Sequence, residues 1–329
     1  MDGERCSTRL WSIVPGGGSG ENSKPWIERW LGQSKPKQFC TFVGTRSMLQ
    51  HTLDRVSRIG RPEQVVTVVS REHAREAWGQ LKTSHGMVIL QPSSRDTAVS
   101  IFLALTHIRA RDPEAPVIIA PPDHFIYPEH RFRDAVHHAA WATEWLPDRL
   151  VVLGVAPDRL ELDCVWIQPG EILSTPGGHP IRPVQSFLER PTAVQADAAL
   201  SSGALWSTQI VAARVDTLWE VGWHCCPEIM ANFERLQHAI GTAQEGQVLD
   251  AIYREMPSAS FSSDILQRIP ERLTVLEMNG VLWSDWSRPE RIASTLRWIG
   301  RQPMFPLDCL DSPFVPILTE TEPRLTINA

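Results

Sequence analysis

The sequence predicts an α/β fold built on a mainly parallel central sheet flanked by helices. Three observations predict it. Short apolar, β-branched runs recur through the first half, and most stop at proline or glycine. The stretches between them carry apolar residues at helical spacing. Strand, helix and strand repeated in this order imply parallel pairing through right-handed crossovers.

The elements follow in order. Trp11 to Val14 is a short run ending at Pro15 and a glycine cluster. Val65 to Val69 and Met87 to Leu90 are rich in branched residues, Val117 to Ala120 stops at Pro121-Pro122, and Leu150 to Leu153 stops at Gly154. Leu49, Leu53, Val56 and Ile59 share one helical face. Ala98, Ile101, Leu105 and Ile108 form another stripe, entered through Asp96 as a cap, and 132–145 is a third helix. Strands are also expected at 165–167, 184–188, 209–213 and 273–276, with helices at 193–200, 227–238 and 289–299. Thr175 to Pro183, rich in Pro and Gly, reads as an exposed hairpin or loop. Ligands in such sheets bind beyond the carboxyl ends of the strands, so 16–20, 91–97 and 121–124 should line one crevice.

Composition narrows the function classes. The chain has 329 residues and a net charge of -6, with basic and acidic residues interspersed, which speaks against a nucleic-acid groove. No apolar run is long enough to span a bilayer, and the polar start, Met1 to Arg9, lacks the core of a secretory signal. The expected location is the cytoplasm. The six cysteines show no paired spacing, and adjacent Cys225-Cys226 reads as two small residues near a core. The thirteen tryptophans read mainly as packing residues, for example Trp141 and Trp145 one helical turn apart. His130, His137 and His138 lack metal-ligand spacing.

Five stations carry possible chemistry. Gly16-Gly17-Gly18-Ser19-Gly20 follows a strand, where successive backbone amides either form an anion nest or simply a flexible loop. It is neither a Walker motif nor a dinucleotide fingerprint, which disfavours an NAD-linked oxidoreductase. Lys37, in Lys35-Pro36-Lys37-Gln38-Phe39, either neutralises phosphate or belongs to a surface turn. At 91–97 a strand end runs into a helix N-terminus, so Gln91, Arg95 and the free amides there are placed for a base edge or phosphate, with ordinary capping as the alternative. Asp123 follows a buried strand and Asp285 follows Leu282-Trp283-Ser284. Two carboxylates converging on one Mg²⁺ suit nucleotidyl chemistry, whereas two turn acids would not.

The order of these stations is informative. From about residue 10 to 299 the chain resembles the mannose-1-phosphate guanylyltransferases, a sugar-phosphate nucleotidyltransferase family whose members read AGGSGTR, PKQF, EPxxRNTA, PxDH, EKP, WNSG and WSD. Here the corresponding stretches are the glycine cluster, Pro36-Lys37-Gln38-Phe39, Gln91 to Ala98, Asp123-His124, Glu189-Arg190-Pro191, Trp206-Ser207-Thr208-Gln209 and Trp283-Ser284-Asp285.

The resemblance implies a Rossmann-like nucleotidyltransferase fold in which a mixed-sheet portion binds the sugar. Its parts would be a polar tail (1–9), a nucleotide part (about 10–155), a sugar-phosphate part (about 156–300) and a C-terminal tail (301–329), without a β-helix domain. It implies GTP and mannose-1-phosphate as substrates in nucleotide-sugar biosynthesis, with no nucleic-acid or membrane partner and an oligomeric state left open. Asp123 and Asp285 would hold Mg²⁺ and act with Lys37. Gly17, Gly18, Ser19, Gly20, Asn22, Lys24, Gln91, Arg95 and Thr97 would surround the nucleotide, and Trp166, Glu189, Arg190, Trp206 and Ser207 the sugar phosphate. The chain departs from the pattern at Asn22 (Arg in the family), Asp96 (Asn), Val165 (Gly) and Ser207 (Asn). Losing the arginine at 22 removes transition-state stabilisation of several kcal/mol, on the order of an oxyanion-donor deletion. The alternative is a degenerate homologue that binds a nucleotide or sugar phosphate without turnover.

Overall fold

Continuous apolar strands need cover on both faces, and the chain supplies it with alternating helices. In the computed structural model the described residues are 9–18, 20, 23–82, 86–175 and 178–310. Ser19 and Asn22 therefore lie outside them, as do Cys6 and most of both expected tails. The elements run β1 (Trp11–Pro15), α1 (Lys24–Leu31), α2 (Met48–Val56), β2 (Val65–Ser70), α3 (Ala74–Leu81), β3 (Met87–Gln91), α4 (Asp96–Arg109), β4 (Pro116–Ile119), β5 (Phe125–Tyr127) and α5 (Glu129–Trp145). They continue with β6 (Leu150–Val155), β7 (Trp166–Pro169), β8 (Ile181–Leu188), α6 (Ala193–Ser201), β9 (Leu205–Arg214), α7 (Val215–Cys225), α8 (Pro227–Ala239), α9 (Glu245–Glu255), β10 (Leu273–Glu277), β11 (Leu282–Ser284) and α10 (Pro289–Trp298).

Among the described residues nine strands form one sheet in the order β3-β2-β1-β4-β9-β6-β10-β8-β7. The part from β3 to β4 is parallel, as expected. β9 then inserts antiparallel between β4 and β6, and β7 and β8 add further antiparallel pairs, so the whole sheet is mixed. Alternate residues feed two cores. Val66, Val68, Val117, Ile119 and Val152 pack with α4, α7 and α8, while Val65, Val69, Ile118, Val151 and Leu153 pack with α2 and α5. No helix of the described residues is long and apolar enough to cross a membrane.

Three sequence expectations change in detail. α4 is not a stripe, because every residue from Ala98 to Ile108 is buried between the sheet and α7–α8. Asp96 is the first residue of that helix rather than its cap; it adopts φ 68, and its carboxylate accepts from the Thr97 amide at 2.6 Å. Trp141 and Trp145 do pack edge to face, but Trp145 is 70% exposed, so this pair lies at the surface.

The strands β5 and β11 were not foreseen. Each is three residues long, and they pair antiparallel with Ser284 opposite Phe125 and Trp283 opposite Ile126. This small ribbon brings the segment after β4 against the segment before α10, more than 150 residues apart in sequence. Nearby, Trp26, Phe42, Trp286 and Phe305 form an aromatic cluster that fastens α1 to the ribbon.

The helical layer has little spare room. A Cβ on Gly222 in α7 would lie 2.6 Å from Met230 Sδ and 2.7 Å from the Phe102 ring. Gly222→Ala is expected to lower unfolding free energy by about 1–3 kcal/mol through overpacking, read as a reduced denaturant midpoint at constant m-value. An unchanged midpoint would show that these helices can separate freely.

Candidate active site

The glycine turn after β1 is held from beneath by amide side chains. Gln38 Nε2 donates to Gly16 O (3.0 Å) and Gly18 O (2.8 Å). Ser70 Oγ and Gln91 Nε2 donate to Gly17 O at 2.9 and 3.3 Å. Because these carbonyls of Gly16 and Gly17 point down, the planar trans peptides turn the amides of Gly17 and Gly18 the other way, as an anion nest requires. Glycine at 17 is needed for contact, since a Cβ there would overlap Gln91 Nε2. Gly20 takes φ 68, and its carbonyl accepts from the Lys24 amide at the start of α1.

Gln91 was expected at the base. It is fully buried, and its carbonyl accepts from Ser100 Oγ at 2.9 Å, so it braces the loop instead of facing a ligand. The helix start at 95–98 is also engaged. The Thr97 amide is taken by Asp96, the Ala98 amide donates to Ala259 O, and Thr97 Oγ1 accepts from the Phe261 amide. The amides of Thr97 and Ala98 are therefore not free for a phosphate. Arg95 is half-buried, with one guanidinium nitrogen donating to Tyr253 O.

Lys37 joins the two acids. Its ammonium lies 2.8 Å from Asp123 Oδ2 and donates to the main-chain carbonyl of Asp285 at 2.6 Å. The side chain is only 7% exposed, whereas Asp123 and Asp285 remain 31% and 26% open. Arg291 on α10 donates to Asp285 Oδ1 at 2.6 Å and holds both oxygens of Glu161. Burial works to raise both aspartates, but Arg291 and Lys37 hold Asp285 down to about 2, and Lys37 lowers Asp123. Both are ionised at neutral pH. Two open carboxylates fit Mg²⁺, which takes one or two protein carboxylates and completes its shell with phosphate and water. Among the described residues no group of three or more His, Cys, Asp or Glu side chains could form an all-protein cage.

His124 stands behind the acids. Trp283 Nε1 donates to its Nδ1 at 3.2 Å, so the neutral ring carries its proton on Nε2, 3.9 Å from Asp123 Oδ1. Burial pushes its pKa down to about 4. A cavity of about 1040 Å³ opens behind it, lined among others by Arg55, Tyr127, Trp206 and Trp283.

The residues expected around the sugar divide into core and surface. Trp166 is fully buried and donates to Glu161 O at 2.9 Å, so it is part of the core and does not line a ligand site. Trp206 is buried edge-on against it. Ser207 Oγ accepts from the Gln209 side chain at 3.2 Å, and Glu189 accepts from Gln267 at 2.8 Å. Arg190 is exposed at φ 48. Sequence reading missed Arg291, Glu161, Ser262 and Gln267. No spacing marks them, although Gln38 lies within the PKQF stretch and only its role was unread.

The nucleotidyl transferase family model matches residues 12–285. A mannose-1-phosphate guanylyltransferase of Escherichia coli (strain K12) is 28% identical over 292 residues, covering 86% of this chain and 59% of that protein. The xanthan biosynthesis protein XanB of Xanthomonas campestris pv. campestris (strain B100) is 29% identical over 255 residues, 76% of this chain and 50% of the relative. The chain thus spans somewhat over half the length of the curated relatives it matches most fully. The fold is that of a crystal structure described as a mannose-1-phosphate geranyltransferase from Thermus thermophilus, with a TM-score of 0.74 and 22% identity over 87% of this chain and 78% of the other.

The His124 environment gives a pH signature. Its folded pKa of about 4 lies below the ordinary 6.5, so as pH falls through this window the unfolded chain takes up a proton that the folded chain refuses. Stability is therefore intact above 6.5 and declines towards 4. Between pH 7 and pH 5 the wild type should lose about 2 kcal/mol more than His124→Asn in urea unfolding. Parallel losses in the two proteins would contradict the buried neutral ring.

Proposed function

The chain belongs to the nucleotidyl transferase family, and from that premise we propose that it transfers GMP from GTP to mannose-1-phosphate with release of pyrophosphate. The observation that carries this reading is the meeting of Asp123, Asp285 and Lys37 beside the glycine nest. An oxygen of the sugar phosphate attacks the α-phosphorus of the triphosphate in line. The new P–O bond forms as the α–β phosphoanhydride bond breaks, and the bond pair leaves with pyrophosphate.

The attacking phosphate is already ionised, so the protein has little proton chemistry to perform. Its work is alignment and charge neutralisation. The amides of Gly17 and Gly18 offer donors to phosphate oxygens, and the Lys37 ammonium supplies positive charge next to them. Asp123 and Asp285 would hold Mg²⁺, which when bound screens charge on the triphosphate oxygens. Lys24 stands at the first turn of α1 beside the glycine turn, and Arg95 beside the helix start. Retention of the two acids and Lys37 favours turnover over binding alone.

A panel of nucleoside triphosphates against sugar-1-phosphates, read by pyrophosphate release with Mg²⁺, tests the reaction. GTP with mannose-1-phosphate should give the highest rate. Asp123→Asn and Asp285→Asn should each lower kcat by about 10²-fold or more, with GTP binding at least partly retained. Measurable GTP binding without release for any pair would sink the transfer reaction and leave a binding protein.

A further inference from the structure

Arg291 stands in the first turn of α10 and is buried. A cation there works against the helix macrodipole, so other charges must hold it in place. Its guanidinium faces three carboxylates. Nε donates to Glu161 Oε2 at 3.0 Å and Nη2 lies 2.7 Å from Oε1, a two-pronged pairing that by itself balances the charge. Asp163 is 3.7 Å away and has Arg288 as a second partner. Nη1 is spent separately, on Asp285 Oδ1 at 2.6 Å and on Ser287 Oγ at 3.0 Å.

The contact to Asp285 is one-sided. Oδ1 also accepts from the Ser287 amide at 3.3 Å and from the Ser287 hydroxyl at 3.2 Å. Three donors thus converge on one oxygen, and among the described residues no hydrogen bond engages Oδ2. A half-turn of the carboxylate only exchanges two like oxygens, so one stays clamped and one stays open. Asp123 repeats the pattern: Oδ2 is 2.8 Å from Lys37 Nζ, whereas Oδ1 is 3.9 Å from His124 Nε2. Each acid therefore has one oxygen to offer a cation.

Cations differ in what they ask of a carboxylate. Mg²⁺ demands a tight octahedral shell, takes one or two carboxylates and keeps several waters. Ca²⁺ collects roughly six to eight oxygens in a looser shell and can use both oxygens of one carboxylate. We infer that Arg291 is a positioning residue that makes the site selective for Mg²⁺ over Ca²⁺, by holding Oδ1 of Asp285 so that only the other oxygen can ligate. The inference rests on the metal site of the reaction proposed above. Arg291 acts through Asp285, and its remaining nitrogens are occupied by Glu161.

Arg291→Met removes the donors and leaves an apolar stem. The probe is Mn²⁺, titrated into the nucleotide-free protein, followed by its electron paramagnetic resonance signal, and then displaced by Mg²⁺ or by Ca²⁺. Losing one positive charge favours both divalent cations alike, and a loosened fold disfavours both alike. The ratio of the two displacing concentrations is therefore the reading. In the wild type Mg²⁺ should displace Mn²⁺ at the lower concentration. In Arg291→Met this preference should shrink about tenfold, the scale of losing an outer-shell partner of a metal ligand. Because that variant also strands Glu161, Ser287→Ala is its companion: it leaves the ion pairs intact and should shift the ratio in the same direction by less. An unchanged ratio in Arg291→Met, or in Ser287→Ala where Arg291→Met does not fold, overturns the assignment. So does a wild type that binds no Mn²⁺ or shows no preference. Turnover plays no part in this reading. Absence of pyrophosphate release with the ratios shifted as expected sinks the transfer reaction alone, and release with the ratios unchanged sinks the role of Arg291 alone.

Discussion

A buried ammonium has to be paired, and the pairing of Lys37 organises the crevice. Removing one partner of a buried ion pair costs about 3–5 kcal/mol, because the remaining charge is stranded. Lys37 has two partners, the carboxylate of Asp123 and the carbonyl of Asp285. Both are fixed by the β5–β11 ribbon, whose register sets Ser284 against Phe125 and so brings the flanking acids to the same end. The short turn bearing Lys37 also carries Gln38, which holds two carbonyls of the glycine turn. Two adjacent residues thereby connect the phosphate nest to the carboxylates, and neither could move far without disturbing the other.

The same division of labour recurs around the site. Buried polar side chains hold backbone, and half-exposed ones are left to meet a ligand. Gln91 spends its amide on Gly17, Ser70 and Ser100 and is completely enclosed. Arg291 ties Asp285 to Glu161, whose main-chain carbonyl in turn receives the Trp166 indole. This linkage runs from the acid after β11 to the loop before β7. A carboxylate with one oxygen already bonded to a guanidinium presents the other in a fixed direction, which is the preorganisation that phosphate chemistry needs.

What the sequence made legible follows from how local each signal is. β1, β2, β4 and β6 are mostly branched apolar runs buried on both faces, and the partly buried edge strand β3 shares their composition, so that pattern survives in one dimension. α7 was missed because it starts at Val215 directly after β9, with no turn residue between them. β5 and β11 are too short to show a period, yet their pairing is what makes Asp123 and Asp285 neighbours. The ordered motifs therefore pointed to the acids, but their convergence was visible only in three dimensions. Gln91 and Trp166 were misplaced for a related reason. A polar residue at a strand end, or an indole beside a motif, looks the same in sequence whether it faces a ligand or the core. Only packing distinguishes the two, and packing buried both.

Strain adds a further separation between scaffold and site. Among the described residues, the non-glycine positions with left-handed φ are Asp96, Arg190, Gln209 and Trp286. All four adjoin a motif station: the start of α4, the end of β8, the bulge of β9 and the residue after the acid Asp285. A left-handed L residue costs roughly 1–3 kcal/mol and persists only where its surroundings over-determine it. Trp286 is enclosed by its surroundings and Gln209 is half-buried, whereas Asp96 and Arg190 are exposed. Asp123 and Asp285 themselves are ordinary in backbone and locked by charge. Substitutions at the strained positions can thus redirect contacts to a ligand while the charge network around Lys37 stays as it is, and three of them, 96, 190 and 209, are among the positions where the chain departs from the family pattern it resembles.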